Sequence, residues 1–135
     1  MNIKKKVSSL CIIVGVLFTI FSCKNTNNME FANNFVHSVY FWLNQPENEE
    51  DRKAFEKSLQ KFLKTSKYAK TNFIGVPAGT DRDVVDGSYT YSLIVTFSSK
   101  EEQDLYQKEE AHLLFIKESS SLWKKVQVYD SVTID

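Results

Sequence analysis

Two histidines, His37 and His112, are the only imidazoles in the 135-residue chain. Imidazole is the side chain whose unperturbed pKa, about 6.5, lets it take and return protons near neutral pH. His112 stands in YQKEEAHLLF, Tyr106–Phe115, which reads as an amphipathic helix, and the run KEEQDLYQKEE reads as its solvated charged face. Tyr106 precedes His112 by six residues. On an ideal helix six residues turn about 600°, leaving the two roughly 120° apart, so they converge only where the helix breaks between them. His37 falls within FVHSVYFWL, an apolar strand pattern, where a histidine is either a satisfied core or interface residue or a pocket-lining one. Glu109 and Glu110 beside His112, together with His37, would make a set of two histidines and a carboxylate. Their spacing resembles no helical metal motif such as HExxH. We therefore expect no metal and no cofactor.

The two cysteines belong to the N-terminus. Lys4, Lys5 and Lys6 precede an apolar run, Val7 to Phe21, and no acid appears before Glu30. That run is shorter than the roughly 20 residues that cross a bilayer comfortably, and it reads as a secretory signal. Its end, Ile20-Phe21-Ser22-Cys23, resembles the bacterial lipobox, with an aliphatic residue three before the cysteine and a small one directly before it. The resemblance implies cleavage before Cys23, a lipid on its sulfur, and a chain anchored to the cell envelope outside the cytoplasm. Cys11 would leave with the signal, residues 1–22, so the folded part would carry no thiol nucleophile, disulfide or cysteine metal site. Cleavage removes three lysines and no acid, leaving 14 basic and 17 acidic residues and a net charge of −3. No basic footprint for nucleic acid remains. Residues 23–34, rich in asparagine, read as a tether.

The elements that must position the histidines follow, in a domain spanning 35–135. Phe35–Leu43 predicts a strand with Phe35, His37, Val39, Phe41 and Leu43 on one face and Val36, Ser38, Tyr40 and Trp42 on the other. Asn48 then caps a helix whose Phe55, Leu59, Phe62 and Leu63 form one apolar stripe. Asn72–Gly79 predicts a short strand interrupted by Gly75 and Pro77. Tyr89–Phe97 alternates strictly, with Tyr89 and Tyr91 on the same face. Ser99 and Glu102 have the spacing of a capping box and open the helical segment that carries Tyr106 and His112. Lys124–Val132 predicts the last strand. The order β-α-β-β-α-β is the α+β, ferredoxin-like arrangement.

Such a sheet packs its helices on one face. Here both faces of the strands are apolar, and about 100 residues cannot build a second layer, so a homodimer joined sheet to sheet is expected.

The first-strand pattern His37-x-Val39-x-Phe41, the block YTYSLIVTFSSKEEQDLY, then AHLLF and SLWKKVQVYD, together resemble the Dabb family of stress-responsive dimeric α/β-barrel domains. The resemblance implies a ferredoxin-like subunit that pairs into a dimeric barrel. It also implies site residues through the family's plant polyketide cyclase, the enzyme that makes olivetolic acid. That enzyme's catalytic tyrosine and histidine fall on Tyr106 and His112, its first-strand histidine falls on His37, and a further pocket histidine is replaced by Tyr91. The family carries a proline directly before the alanine–histidine pair, where this chain has Glu110. Three functions are then open: a membrane-tethered barrel binding a small apolar ligand; a small cofactor-independent enzyme, cyclase-like or monooxygenase-like, using Tyr106 and His112 as an acid–base pair; or an envelope stress protein acting through a protein partner.

Overall fold

The computed structural model describes residues 34–134. The signal segment 1–22, Cys23 and all but the last residue of the 23–34 tether lie outside the described residues. Seven elements follow in order: β1 (Phe35–Leu43), α1 (Glu49–Thr65), β2 (Thr71–Gly75), β3 (Tyr91–Phe97), α2 (Lys100–Lys108), α3 (Glu110–Ser119) and β4 (Trp123–Val132). The strands form one antiparallel sheet in the order β2-β3-β1-β4, and all three helices lie on one face of it. This is the ferredoxin-like α+β fold.

β1 is an inner strand, paired with β3 on one side and β4 on the other, and its burial alternates with period two. Phe35, His37, Val39, Phe41 and Leu43 are all buried toward the helices, and their neighbours in sequence are half-buried on the other side. The Asn48 side chain accepts from the Glu50 and Asp51 amides at 2.9 and 3.1 Å, starting α1. Phe55, Leu59 and Phe62 of α1 are fully or nearly fully buried, each contributing about 1.5–3 kcal/mol by leaving water. Phe55 stacks on Tyr91 (ring centroids 4.9 Å apart) and Phe62 on Phe115 (5.2 Å), so aromatic pairs join α1 to β3 and α3. A polar tie joins the same helices: the Glu118 carboxylate accepts from Ser58 at 3.1 Å and pairs with Lys61 at 2.8 Å.

Three details differ from the sequence pattern. β2 stops at Gly75, well short of Gly79, because the next two residues are Val76 and Pro77; the residue before a proline is turned from regular geometry, and proline itself donates no ladder bond. The Glu102 carboxylate reaches the Ser98 amide and hydroxyl (2.7 and 2.6 Å), one residue before the capping serine, while Ser99 Oγ accepts from the Glu102 amide at 3.3 Å. Tyr89 does not share the face of Tyr91. Thr90 gives its N–H to the Phe41 carbonyl at 2.7 Å and takes the Leu43 N–H on its hydroxyl at 3.0 Å. The strand begins after this turn, and the Tyr89 ring packs on Tyr40, on the face away from the helices.

That outer face carries Val36, Tyr40, Trp42, Ile94, Phe73 and Tyr129, which no layer among the described residues covers, and Phe73 and Tyr129 are each 59% exposed.

Candidate functional site

The helical segment that carries Tyr106 and His112 is broken where their meeting requires it. α2 ends at Lys108, Glu109 takes the extended conformation (φ −67°, ψ 148°), and α3 restarts at Glu110. Such backbone is what a following proline imposes. Here Glu110 stands instead, and the break is held by the Glu109 side chain. Its carboxylate accepts from the Lys67 amide at 2.9 Å and closely from the Ser66 hydroxyl, at the C-terminal end of α1. Ser66 Oγ in turn accepts from the Ala69 amide at 2.8 Å. A side-chain anchor to the neighbouring helix thus replaces a local backbone constraint.

The break rotates His112 onto Tyr106, with ring centroids 4.8 Å apart. The rings pack against each other without a hydrogen bond between them, and among the described residues the Tyr106 hydroxyl has no hydrogen-bond partner. Tyr106 is almost wholly buried, between Phe62, Phe97 and His37. Burial first, then the negative charges of Glu109 and Asp130, push its pKa well above the usual tyrosine value. The phenol therefore stays protonated, as a hydrogen-bond donor needs.

His112 is half-buried, and its Nδ1 lies 3.2 Å from the Gln107 carbonyl. A carbonyl can only accept, so Nδ1 carries the proton and Nε2 keeps a free lone pair. Burial holds the His112 pKa below the ordinary histidine value; nearby His37 adds to this, while the Gln107 carbonyl and Glu109 oppose it. The result is a neutral imidazole with one basic nitrogen.

His37 is 3% exposed, and its Nδ1 donates to Asp130 Oδ1 at 2.6 Å. The two residues sit opposite each other on β1 and β4, so strand register alone brings them together across 93 positions of sequence. Asp130 did not emerge from the sequence as a site residue. Its signal was present: on β4, Val126 and Val128 keep an apolar alternation that an acid then interrupts.

His37, Tyr106 and His112 line one cavity of about 170 Å³ between α3 and the β1–β4 side of the sheet. Val39, Leu93, Phe115 and Trp123 supply apolar wall. Ile116, Val126 and Val128 also line it and are exposed, which gives the cavity an apolar rim. Tyr91 is not brought to this cavity. It lies under α1, its hydroxyl donating closely to Glu56 and Arg52 lying 5.1 Å above its ring. Burial and that bond to Glu56 push its pKa up to about 12. Among the described residues no three His, Cys, Asp or Glu side chains converge as a metal site would require, and Glu109 is committed to Ser66 and Lys67.

Fold and site together define a ferredoxin-like subunit with a small apolar cavity beneath a broken second helix, carrying two histidines and a tyrosine. Residues 35–133 match the family described as the stress responsive A/B barrel domain, Dabb, and the chain belongs to that family. Among solved structures it resembles a Dabb family protein with a ferredoxin-like fold from Mesorhizobium loti (17% identity, TM-score 0.63, covering 75% of this chain and 97% of that one). It also resembles a hydroxynitrile lyase from Passiflora edulis (18%, TM-score 0.62, 76% and 95%). A dimeric ferredoxin-like protein of unknown function from Thermobifida fusca is similar too (14%, TM-score 0.60, 78% and 97%). No curated protein matches the chain.

Proposed function

We propose that this chain is a homodimeric barrel subunit that binds a small, mainly apolar compound bearing one carbonyl or hydroxyl group. The observation that carries the reading is the convergence of His37, Tyr106 and His112 on one apolar cavity. Its volume is close to the roughly 150 Å³ of an engineered cavity that holds benzene, so a ring of about six carbons is the right scale. The phenol of Tyr106 supplies a donor for the ligand's oxygen. Titration of the protein with cyclohexanone tests the reading: saturable binding is expected, weakened in Tyr106→Phe. Equal binding by both proteins, or none, contradicts it.

A second reading, acid–base catalysis, is favoured by the His112 tautomer. With Nδ1–H held by Gln107, Nε2 can take a proton from carbon next to the bound carbonyl, while Tyr106 donates a hydrogen bond to the developing enolate oxygen. The proton then returns from Nε2 to carbon. Faster deuterium uptake next to the carbonyl of cyclohexanone in heavy water, lost in His112→Gln, is the expected result. An unchanged rate in that variant removes catalysis and leaves binding.

The dimer is supported by the apolar sheet face that the described residues leave uncovered and by neighbours described as dimeric. Sizing should give twice the monomer mass, and Ile94→Asp on that face should give a monomer. The cell-envelope attachment rests on Cys23 and its preceding residues. Cys23→Ser should move the protein to the soluble fraction; continued membrane retention would refute lipidation.

A further inference from the structure

The outer side of the helix layer faces away from the sheet, so the proposed homodimer, joined sheet to sheet, leaves it uncovered. α1 buries Phe55, Leu59 and Phe62, and its lysines stand on the opposite side. Lys53, Lys57, Lys61 and Lys64 recur at helical spacing and form one line of about 17 Å along the helix. Lys67 and Lys70 continue it past the helix end. All six lysines are exposed, and no acid between Lys53 and Lys70 is. The one acid in that span, Glu56, is half-buried and accepts from the Tyr91 hydroxyl. Lys53 pairs with Glu49 at 3.1 Å and Lys61 with Glu118 at 2.8 Å, exposed contacts that contribute little in water. The other four make no ion pair among the described residues. Beside this stripe, where α1 ends against the break between α2 and α3, lies an open groove of about 500 Å³. Lys61, Lys67 and Lys108 stand around it, and Tyr68, Leu105 and Leu114 give it apolar surface, both leucines being exposed.

We propose that this face docks the domain on the surface of an anionic phospholipid membrane, with the lysines over the phosphates and the two leucines in the interfacial layer. A cluster of roughly four to eight basic residues is drawn to anionic headgroups, each residue contributing separately. Exposed apolar side chains beside such a cluster gain by entering the boundary between headgroups and acyl chains. The kind of cation favours a membrane over an acidic protein. Arginine, whose planar fork grips a carboxylate at two points, is enriched in protein interfaces, and lysine is depleted there. The span from Lys53 to Lys70 contains no arginine. The arrangement also disfavours a compact anion, because the charges lie along a line instead of converging on a point. The proposal rests on the envelope-attachment reading, which keeps a membrane within reach of this face.

Attachment and docking are read separately in one experiment. The full chain is mixed with vesicles of phosphatidylcholine alone, or of phosphatidylcholine with phosphatidylglycerol. Flotation reads attachment, and the rate at which a water-soluble reagent acetylates each lysine, followed by mass spectrometry, reads docking. Lys57, Lys61, Lys64 and Lys67 should react more slowly on the anionic vesicles than on the neutral ones, and Lys124 of β4 equally on both. Added salt should abolish the difference, because it screens exposed charges. In Lys57→Gln combined with Lys64→Gln, both exposed substitutions, the ratio of docked to undocked protein, read at Lys61 and Lys67, should fall about fivefold for each charge removed. Flotation with both kinds of vesicle, without slower reaction on the anionic ones, keeps attachment but overturns docking and leaves the face to an acidic protein. Flotation with anionic vesicles alone, with the four lysines protected, supports docking and removes the N-terminal attachment. Flotation with neither overturns both. An unchanged ratio in the double variant also overturns docking.

Discussion

The layer between helices and sheet has two halves that are packed differently. Beneath α1, on the β3 side, Phe55, Leu59, Val95 and Phe97 are fully buried, and Phe55 stacks on Tyr91. Beneath α3, on the β4 side, Val126 and Val128 stay 37% and 41% exposed, and a cavity separates them from Phe115 and His112. Both histidines and Tyr106 line the cavity of this second half. The close-packed first half supports the second, a polar and incompletely filled side that would be unstable alone.

Substitutions should separate the two halves. Phe55→Ala opens a void in the filled half and should cost about 3–5 kcal/mol in chemical denaturation. Loss of less than a third of that would mean that the α1 side is not the stabilising half. Glu109→Ala removes the anchor between the halves and leaves the Lys67 amide and Ser66 hydroxyl without their acceptor. About 1–3 kcal/mol is expected, together with loss of the close Tyr106–His112 ring packing, readable in the His112 proton shifts.

The cavity half should also give stability a pH dependence. His112 has a folded pKa below its unfolded one, so as pH falls below about 6.5 the unfolded chain takes up the proton first. Its contribution is therefore fully present above that pH and is lost as pH falls toward the lowered folded value. Wild type should lose more stability between pH 7 and pH 5 than His112→Gln, and equal losses would place His112 in an ordinary solvated environment. The smallest effect is expected at the break. Glu109 already has the backbone that precedes proline, and Glu110 is the first helical position, so Glu110→Pro should stabilise by about 0.4–1 kcal/mol. A destabilised variant would show that the break depends on the Glu110 amide.

Much of the scaffold was legible because it is local. Alternation in Phe35–Leu43, the stripe Phe55–Leu59–Phe62 and the Asn48 cap need only neighbours a few residues away, and the structure has each as the pattern predicts. The site was legible only in part. Family resemblance pointed to Tyr106, His112 and His37, and simple helix geometry required a break between the first two. The agent of the break, Glu109 reaching Ser66 and Lys67, depends on how α1 lies beside α2, which no local pattern encodes. Asp130 depends on strand register, and the displacement of Tyr91 from the cavity depends on its bond to Glu56 of α1. Tyr89 changed faces because Thr90 spends its polar groups on β1 before the β3 ladder begins.

The state of the His112 imidazole tests the central reading most directly. Nitrogen-15 resonances of its ring, recorded at neutral pH with and without cyclohexanone, report tautomer and contact together. The account predicts a neutral ring protonated on Nδ1, with the unprotonated Nε2 resonance moving saturably as the ligand is added. A ring protonated on Nε2, or one whose resonances do not respond to the ligand, would contradict it.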